Sequence, residues 1–152
     1  MLIDPNTGFT RYFEMGRYDP EERGLVRSRP IPNVEMGDDG LPTQDSMQNL
    51  MQALSTKFGQ DGVVDGAYFV GADFLSMLNY AENLQSEMAK GDQGESEPYK
   101  LLTNNCATFC EDVLESGGVD TPTTIINSPR NVIEELQSVA DETYRYDPDE
   151  EE

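Results

Sequence analysis

Apolar residues recur along this chain at two periods, and the change of period marks out its elements. Met47, Leu50, Met51, Leu54 and Phe58 fall at i, i+3, i+4, i+7 and i+11, one stripe of a helix that opens after Thr43 and stops at Gly59. The same spacing predicts a helix from Asp73 as N-cap to about Ala89, with Phe74, Met77, Leu78, Ala81, Leu84 and Met88 facing inward. A third begins at Cys106, places Phe109, Cys110, Val113 and Leu114 on one face, and ends at Gly117-Gly118. Ser128 as N-cap and Pro129 at N1 open a fourth, carrying Val132, Ile133, Leu136, Val139 and Ala140. Period two appears near the start, where Phe9, Arg11, Phe13 and Met15 alternate with Thr10, Tyr12 and Glu14. A turn, Asp4-Pro5-Asn6-Thr7-Gly8, links that strand to a short first arm, Met1-Leu2-Ile3. Leu25 to Pro32 reads as an edge strand closed by its prolines, Gly66 to Val70 as a short strand, and Tyr99 to Leu102 as an extended entry to the third helix.

The pattern predicts an α+β fold, a small antiparallel sheet packed against three to four helices. Residues 1–140 form one domain in this reading, and 141–152 an acidic tail, mobile or docked on something basic. That tail holds seven acids and one arginine. The whole chain has 30 acidic and 10 basic residues, a net charge of −20, yet its first 29 residues sum to zero. A surface this acidic repels phosphate backbones and anionic membranes, so the expected partner is a protein, basic where charge decides, with neither nucleic acid nor membrane. No apolar run approaches the roughly 18 residues of a membrane span, and no basic flank with an apolar stretch opens the chain. The expectation is a protein of the cytoplasm or of a phage virion, neither membrane-bound nor conventionally secreted.

Candidate chemistry gathers at Leu102-Thr103-Asn104-Asn105-Cys106-Ala107-Thr108-Phe109. A cysteine on the first turn of a helix meets free amide N–H groups and the positive end of the helix dipole, both of which favour thiolate over thiol. Its usual partner, a histidine acting as general base and then general acid, is absent, because the chain contains no histidine. Packing is the competing account for a pair of cysteines on one helix face, and Cys110 is read as core. Two cysteines at i and i+4 have poor vectors for a disulfide and are read as reduced. Without histidine they leave too few soft ligands for zinc, and no metal or cofactor is expected.

The cysteine segment, with its short helix and Gly-Gly stop, resembles the nucleophile segment of the permuted NlpC-type, papain-like superfamily. Asp4 to Gly8, Tyr12 to Tyr18, Val26-Arg27-Ser28 and the helix start at Leu41-Pro42-Thr43 resemble the phage and bacterial effector domains of that group, so the likeness runs from residue 1 to about 120. The resemblance implies a papain-like α+β fold and amide, ester or thioester chemistry at Cys106 in the nucleophile position. It also implies a histidine on the strand before the first hairpin turn, where this chain has only Met1-Leu2-Ile3.

Three functions follow. The first is a catalytically degenerate papain-like domain acting as a binding or structural component of a phage or bacterium. The second is a cysteine hydrolase or acyltransferase of amidase or peptidase type, with Cys106 as nucleophile and the base supplied by another segment or chain. The third is an acidic mimic of nucleic acid that inhibits a basic protein.

Overall fold

A computed structural model describes residues 1–18, 24–90, 105–122 and 129–150. The elements run β1 (Leu2–Ile3), β2 (Thr10–Gly16), β3 (Leu25–Arg29), α1 (Gln44–Phe58), β4 (Val64–Tyr68), α2 (Phe74–Ala89), α3 (Cys106–Ser116), α4 (Pro129–Val139) and β5 (Glu142–Tyr146). Among the described residues the fold is α+β, as the two periods predict, with four helices and two small antiparallel sheets where one was expected. The readings of 91–98 as a loop, of Tyr99 to Leu102 as an extended entry and of Ser128 as a cap lie outside the described residues.

The chain forms two compact units, one of Met1–Tyr12, Arg29–Val70 and Gln137–Glu152, the other of Phe13–Ser28 and Gly71–Leu136. In the first unit β1 pairs with the start of β2, Leu2 opposite Arg11 and Ile3 opposite Thr10. The turn before β2 is closed by Asp4, whose carboxylate accepts from Asn6 N at 2.9 Å and from the Thr7 hydroxyl at 2.8 Å. Gly8 follows at φ +73, where a Cβ would collide with the Val34 carbonyl oxygen.

The expected alternation breaks at this point. Phe9 is exposed and Thr10 is buried. The Thr10 hydroxyl donates to Gly8 O and accepts from Val34 N, while Thr10 N donates to the Asn33 side chain. A buried hydroxyl with both roles satisfied carries little of the usual desolvation penalty, and its bonds fasten the 31–34 segment to the hairpin.

Ile3, Val34, Met47 and Leu50 form the core of this unit, with Ile31, Met36, Tyr68 and Tyr144 against it. Each fully buried aliphatic side chain here contributes about 1.5–3 kcal/mol. On α1 the buried stripe is Met47, Leu50, Met51 and Ser55, with Leu54 and Phe58 half-buried. Ser55 is buried because its hydroxyl donates to Gly62 O at 2.6 Å and its carbonyl accepts from Gly59 N and Asp61 N. Thr43 occupies the N-cap position without capping the helix through its side chain, and its hydroxyl donates to Ser46 Oγ instead.

β4 begins two residues earlier than expected and pairs with β5, from Val64 opposite Tyr146 to Tyr68 opposite Glu142. Residues 142–146, read from sequence as part of an acidic tail, mobile or docked on something basic, are therefore a strand, and α1 packs on both β4 and β5. Thr143-Tyr144-Arg145-Tyr146 carried a strand signal, aromatic and β-branched residues in alternation, which the surrounding acids masked. Asp141 locks the entry to β5, its backbone N–H donating to Tyr68 O and its carboxylate accepting from Val70 N at 2.7 Å.

In the second unit the rest of β2 lies beside β3, giving the strand order β1-β2-β3. Arg27 pairs with Glu14 at 2.9 Å, and its guanidinium lies 3.1 Å over the centre of the Tyr18 ring. Helices α2 and α3 pack together; the buried residues are Met77 and Ala81 on α2 and Ala107, Phe109 and Val113 on α3. The start of α2 is tied to the end of α3 by Asp73 N donating to Gly117 O at 2.9 Å. Gly117 permits this approach, since a Cβ there would lie 2.6 Å from Met77 Cγ.

Candidate functional site

Helix α3 starts at Cys106 because Asn105, in extended conformation at φ −140 and ψ −177, supplies a side-chain cap. Four donors at a helix start have no intrahelical acceptor, so each must find one elsewhere or face solvent. Here Asn105 Oδ1 accepts from Ala107 N at 2.8 Å and from Thr108 N at 3.2 Å. Thr108 Oγ1 accepts from Asn105 N at 2.9 Å and donates to Asn105 O at the same distance, completing a capping box. Phe109 N then makes the first regular helix bond, to Asn105 O. Three of the four donors are thus consumed. The fourth, Cys106 N–H, has no hydrogen-bond partner among the described residues.

This accounting corrects one expectation. The first-turn amides were to face the thiol, yet those of Ala107 and Thr108 are already engaged by Asn105. What Cys106 keeps is its own N–H, and Cys106 itself is half-buried, neither sealed in the core nor fully open.

Cys110 differs from the sequence reading more sharply. The buried line of α3 is Asn105, Phe109, Val113 and Gly117, and Cys110 falls on the exposed side. The buried face thus follows the four-residue repeat from Asn105 rather than the cysteine spacing. Burial of the sulfur among its immediate neighbours pushes the Cys110 thiol up. The accessible area of the residue as a whole, which decides whether a reagent can reach it, is nonetheless large. Both thiols are free.

Further along the α2–α3 pair lies an acidic face. Tyr80 donates to Asp112 Oδ2 at a long 3.4 Å. Partial burial raises the carboxyls of Asp112 and Glu111, with Glu115 adding repulsion at both, and raises the Tyr80 phenol. Among the described residues no group of three histidine, cysteine, aspartate or glutamate side chains is arranged to hold a metal ion, and no helix is long and apolar enough to cross a membrane.

The residue that sequence reasoning undervalued is Asn105. At 1 % exposure it is among the most buried polar side chains described, and the signal that marks it is Asn-x-x-Thr at the head of an apolar helix stripe.

The geometry defines a class, a small α+β protein built around a capped helix that presents a cysteine at its first turn. The family model for type VI secretion system effectors of the TseH-like kind matches residues 1–120, and the chain belongs to that family. Among solved structures it is similar to the crystal structure of the type VI secretion system effector TseH, with 28% sequence identity and a TM-score of 0.85. The similarity covers 97% of this chain and 80% of that one. No curated protein matches. The family lies on the bacterial effector side of the phage and effector resemblance.

Proposed function

We propose that this chain is a bacterial effector domain of papain-like, permuted NlpC type, in which the cysteine site lacks its own base and the protein acts by binding a protein partner. One observation carries the reading: a cysteine, Cys106, stands on the first turn of α3 in a chain without histidine. Loss of the base of a Cys–His pair costs a factor on the order of 10²–10⁴. The net charge of −20 favours a basic partner over nucleic acid or an anionic membrane.

A second reading is supported by the unpartnered Cys106 N–H, which suits a developing oxyanion. In it the chain is a cysteine hydrolase or acyltransferase completed by a base from another segment or chain.

Expression of the wild-type chain and of Cys106→Ala in the cytoplasm and in the periplasm of a susceptible bacterium separates the two. Equal loss of viable cells is the expected result. Killing by the wild type that vanishes in Cys106→Ala would replace the binding reading with the hydrolytic one.

A further inference from the structure

We infer that the free edge of β5, Glu142–Tyr146, is where the basic partner docks, adding an extended segment to the β4–β5 ribbon as a third strand. The inference rests on the reading of the chain as a protein that binds a basic protein partner. It adds the place of docking and the conformation of what docks.

A strand at the edge of a sheet carries a row of N–H and C=O groups without partners, and an unprotected edge recruits another strand. β4 and β5 form a two-stranded sheet, so each has one side to spare. On β4 the Gln137 side chain donates to Gly66 O at 3.3 Å. The edge strand β3 runs into Pro30 and Pro32, which have no N–H to offer. β5 has no such device. Its sequence, Glu-Thr-Tyr-Arg-Tyr, contains no proline, and among the described residues its backbone bonds only to β4. The strand is also held in place before any partner arrives. Tyr146 is buried and Tyr144 packs against the core. Asp141 ties the start of the strand to Tyr68 O and Val70 N, and Arg145 joins Asp65 and Asp147 on the exposed face. An edge already ordered costs little to order on binding.

What guards this edge is charge of one sign. Residues 141–150 hold five acids and one arginine. That arginine is engaged by Asp65 and Asp147. Glu142 at the start of the strand, and Asp149 and Glu150 beyond its end, are exposed and make no ion pair among the described residues. A second copy of the chain would bring the same acids against them, as would any acidic strand, and like charges placed opposite each other destabilise a pair. A basic strand meets attraction instead. Five residues of strand cover about 17 Å, so a segment of roughly five to seven residues with Lys or Arg near both ends would set its cations beside Glu142 and beside Asp149 and Glu150. Between them, β-branched residues suit a place beside Thr143 and Tyr144.

The probe is a capped peptide, Lys-Arg-Thr-Val-Thr-Val-Arg-Lys, titrated into the ¹⁵N-labelled full chain at low ionic strength, with two derivatives of identical charge. One is N-methylated at both threonines and the other at both valines. Successive N–H groups of an added strand point to opposite sides, so in either register one derivative loses the donors that face β5 and the other keeps them. The amides of residues 142–146 should shift together. One derivative should bind roughly tenfold more weakly or worse, the scale of two lost hydrogen bonds, and the other should match the parent. Glu142→Lys with Glu150→Lys, both at exposed positions, should weaken the parent peptide more than Glu87→Lys with Asp120→Lys, an equal change of charge in the other compact unit. Two derivatives that bind as well as the parent, or equal weakening by the two double variants, would overturn docking at the edge and leave the basic partner standing. Self-association that shifts the same amides without peptide would give the edge to a second copy and overturn the proposal. Absence of binding by the parent peptide would overturn both the edge site and the choice of a basic partner.

Discussion

The two helices that pack against each other, α2 and α3, open on caps of similar shape and different character. Asp73 at the head of α2 is exposed and charged, and its carboxylate accepts from Ser76 N at 2.6 Å. That backbone bond holds its carboxyl below the ordinary value of 3.8. Asn105 at the head of α3 is buried, neutral and bonded to two amides at once. At a solvated helix start a full negative charge gains from the dipole and keeps its hydration. At a buried start beside a thiol the same charge would be desolvated and would repel a thiolate, so an amide oxygen does the capping. Both are good capping residue types; burial tells them apart.

The strongest way to break the comparison is to remove each cap in turn. Asn105→Ala deletes a buried cap, worth about 1 kcal/mol, and strands buried donors at about 1–3 kcal/mol in total. A loss of about 2–4 kcal/mol is expected, seen as a lower urea midpoint with unchanged slope. Asp73→Ala, whose freed amides meet water, should move the midpoint much less. Similar losses in the two variants would mean that burial does not separate the caps.

Next in size is the joint between the end of α3 and the start of α2. Gly117→Val would push a branched side chain into Met77 and strain the bond from Asp73 N to Gly117 O, at a cost of about 1–3 kcal/mol. Met77→Ala combined with Gly117→Val should recover part of that loss, because the colliding atoms belong to a flexible side chain. A double mutant whose loss equals the sum of the singles would show that the clash is not the cause.

Much of this was legible beforehand, and the failures share a cause. The limits of α1 and α2 follow from Gly59, Asp73 and the apolar stripes, and the structure places them at Gln44–Phe58 and Phe74–Ala89. Those stripes are long and uniformly apolar, so periodicity suffices. Where a polar residue joins the core, periodicity misleads: Thr10, Ser55 and Asn105 are buried through their hydrogen bonds, and hydropathy counts them as surface. Thr10 is buried where Phe9 is exposed, and Cys110 lies outside the buried line that starts at Asn105. Strand β5 was hidden for the opposite reason, as a pairing with a strand some 80 residues away outweighed a locally acidic composition. At the candidate site the position of Cys106 at the head of α3 followed from sequence, but the fate of each first-turn donor depends on the orientation of the Asn105 side chain, which no spacing rule supplies.

The smallest effect concerns pH and sharpens the contrast between exposed and crowded carboxylates. Asp73 and Asp4 have folded-state carboxyls below their ordinary values, chiefly through backbone bonds from Ser76 and Asn6. What they contribute is fully present above the unfolded value of 3.8 and is lost as the pH falls through the lower folded values. Asp112 and Glu111 are raised by partial burial and by neighbouring acids, so the folded state holds their protons more firmly. Their ionisation costs stability at neutral pH, and that cost is relieved as the pH falls towards their ordinary values of 3.8 and 4.5. Stability should therefore rise modestly from pH 7 to the upper edge of the carboxylate range and fall below it. Asp112→Asn, which keeps an oxygen for Tyr80, should remove part of the rise, an effect screened by solvent to under about 1 kcal/mol. Asp73→Asn, still a capping side chain, should lower the neutral midpoint by the part that ionisation contributes and flatten the acid limb. Urea midpoints between pH 3 and 8 for the three proteins check both arms, and a rise unchanged by Asp112→Asn would assign it to the general relief of charge at −20 instead.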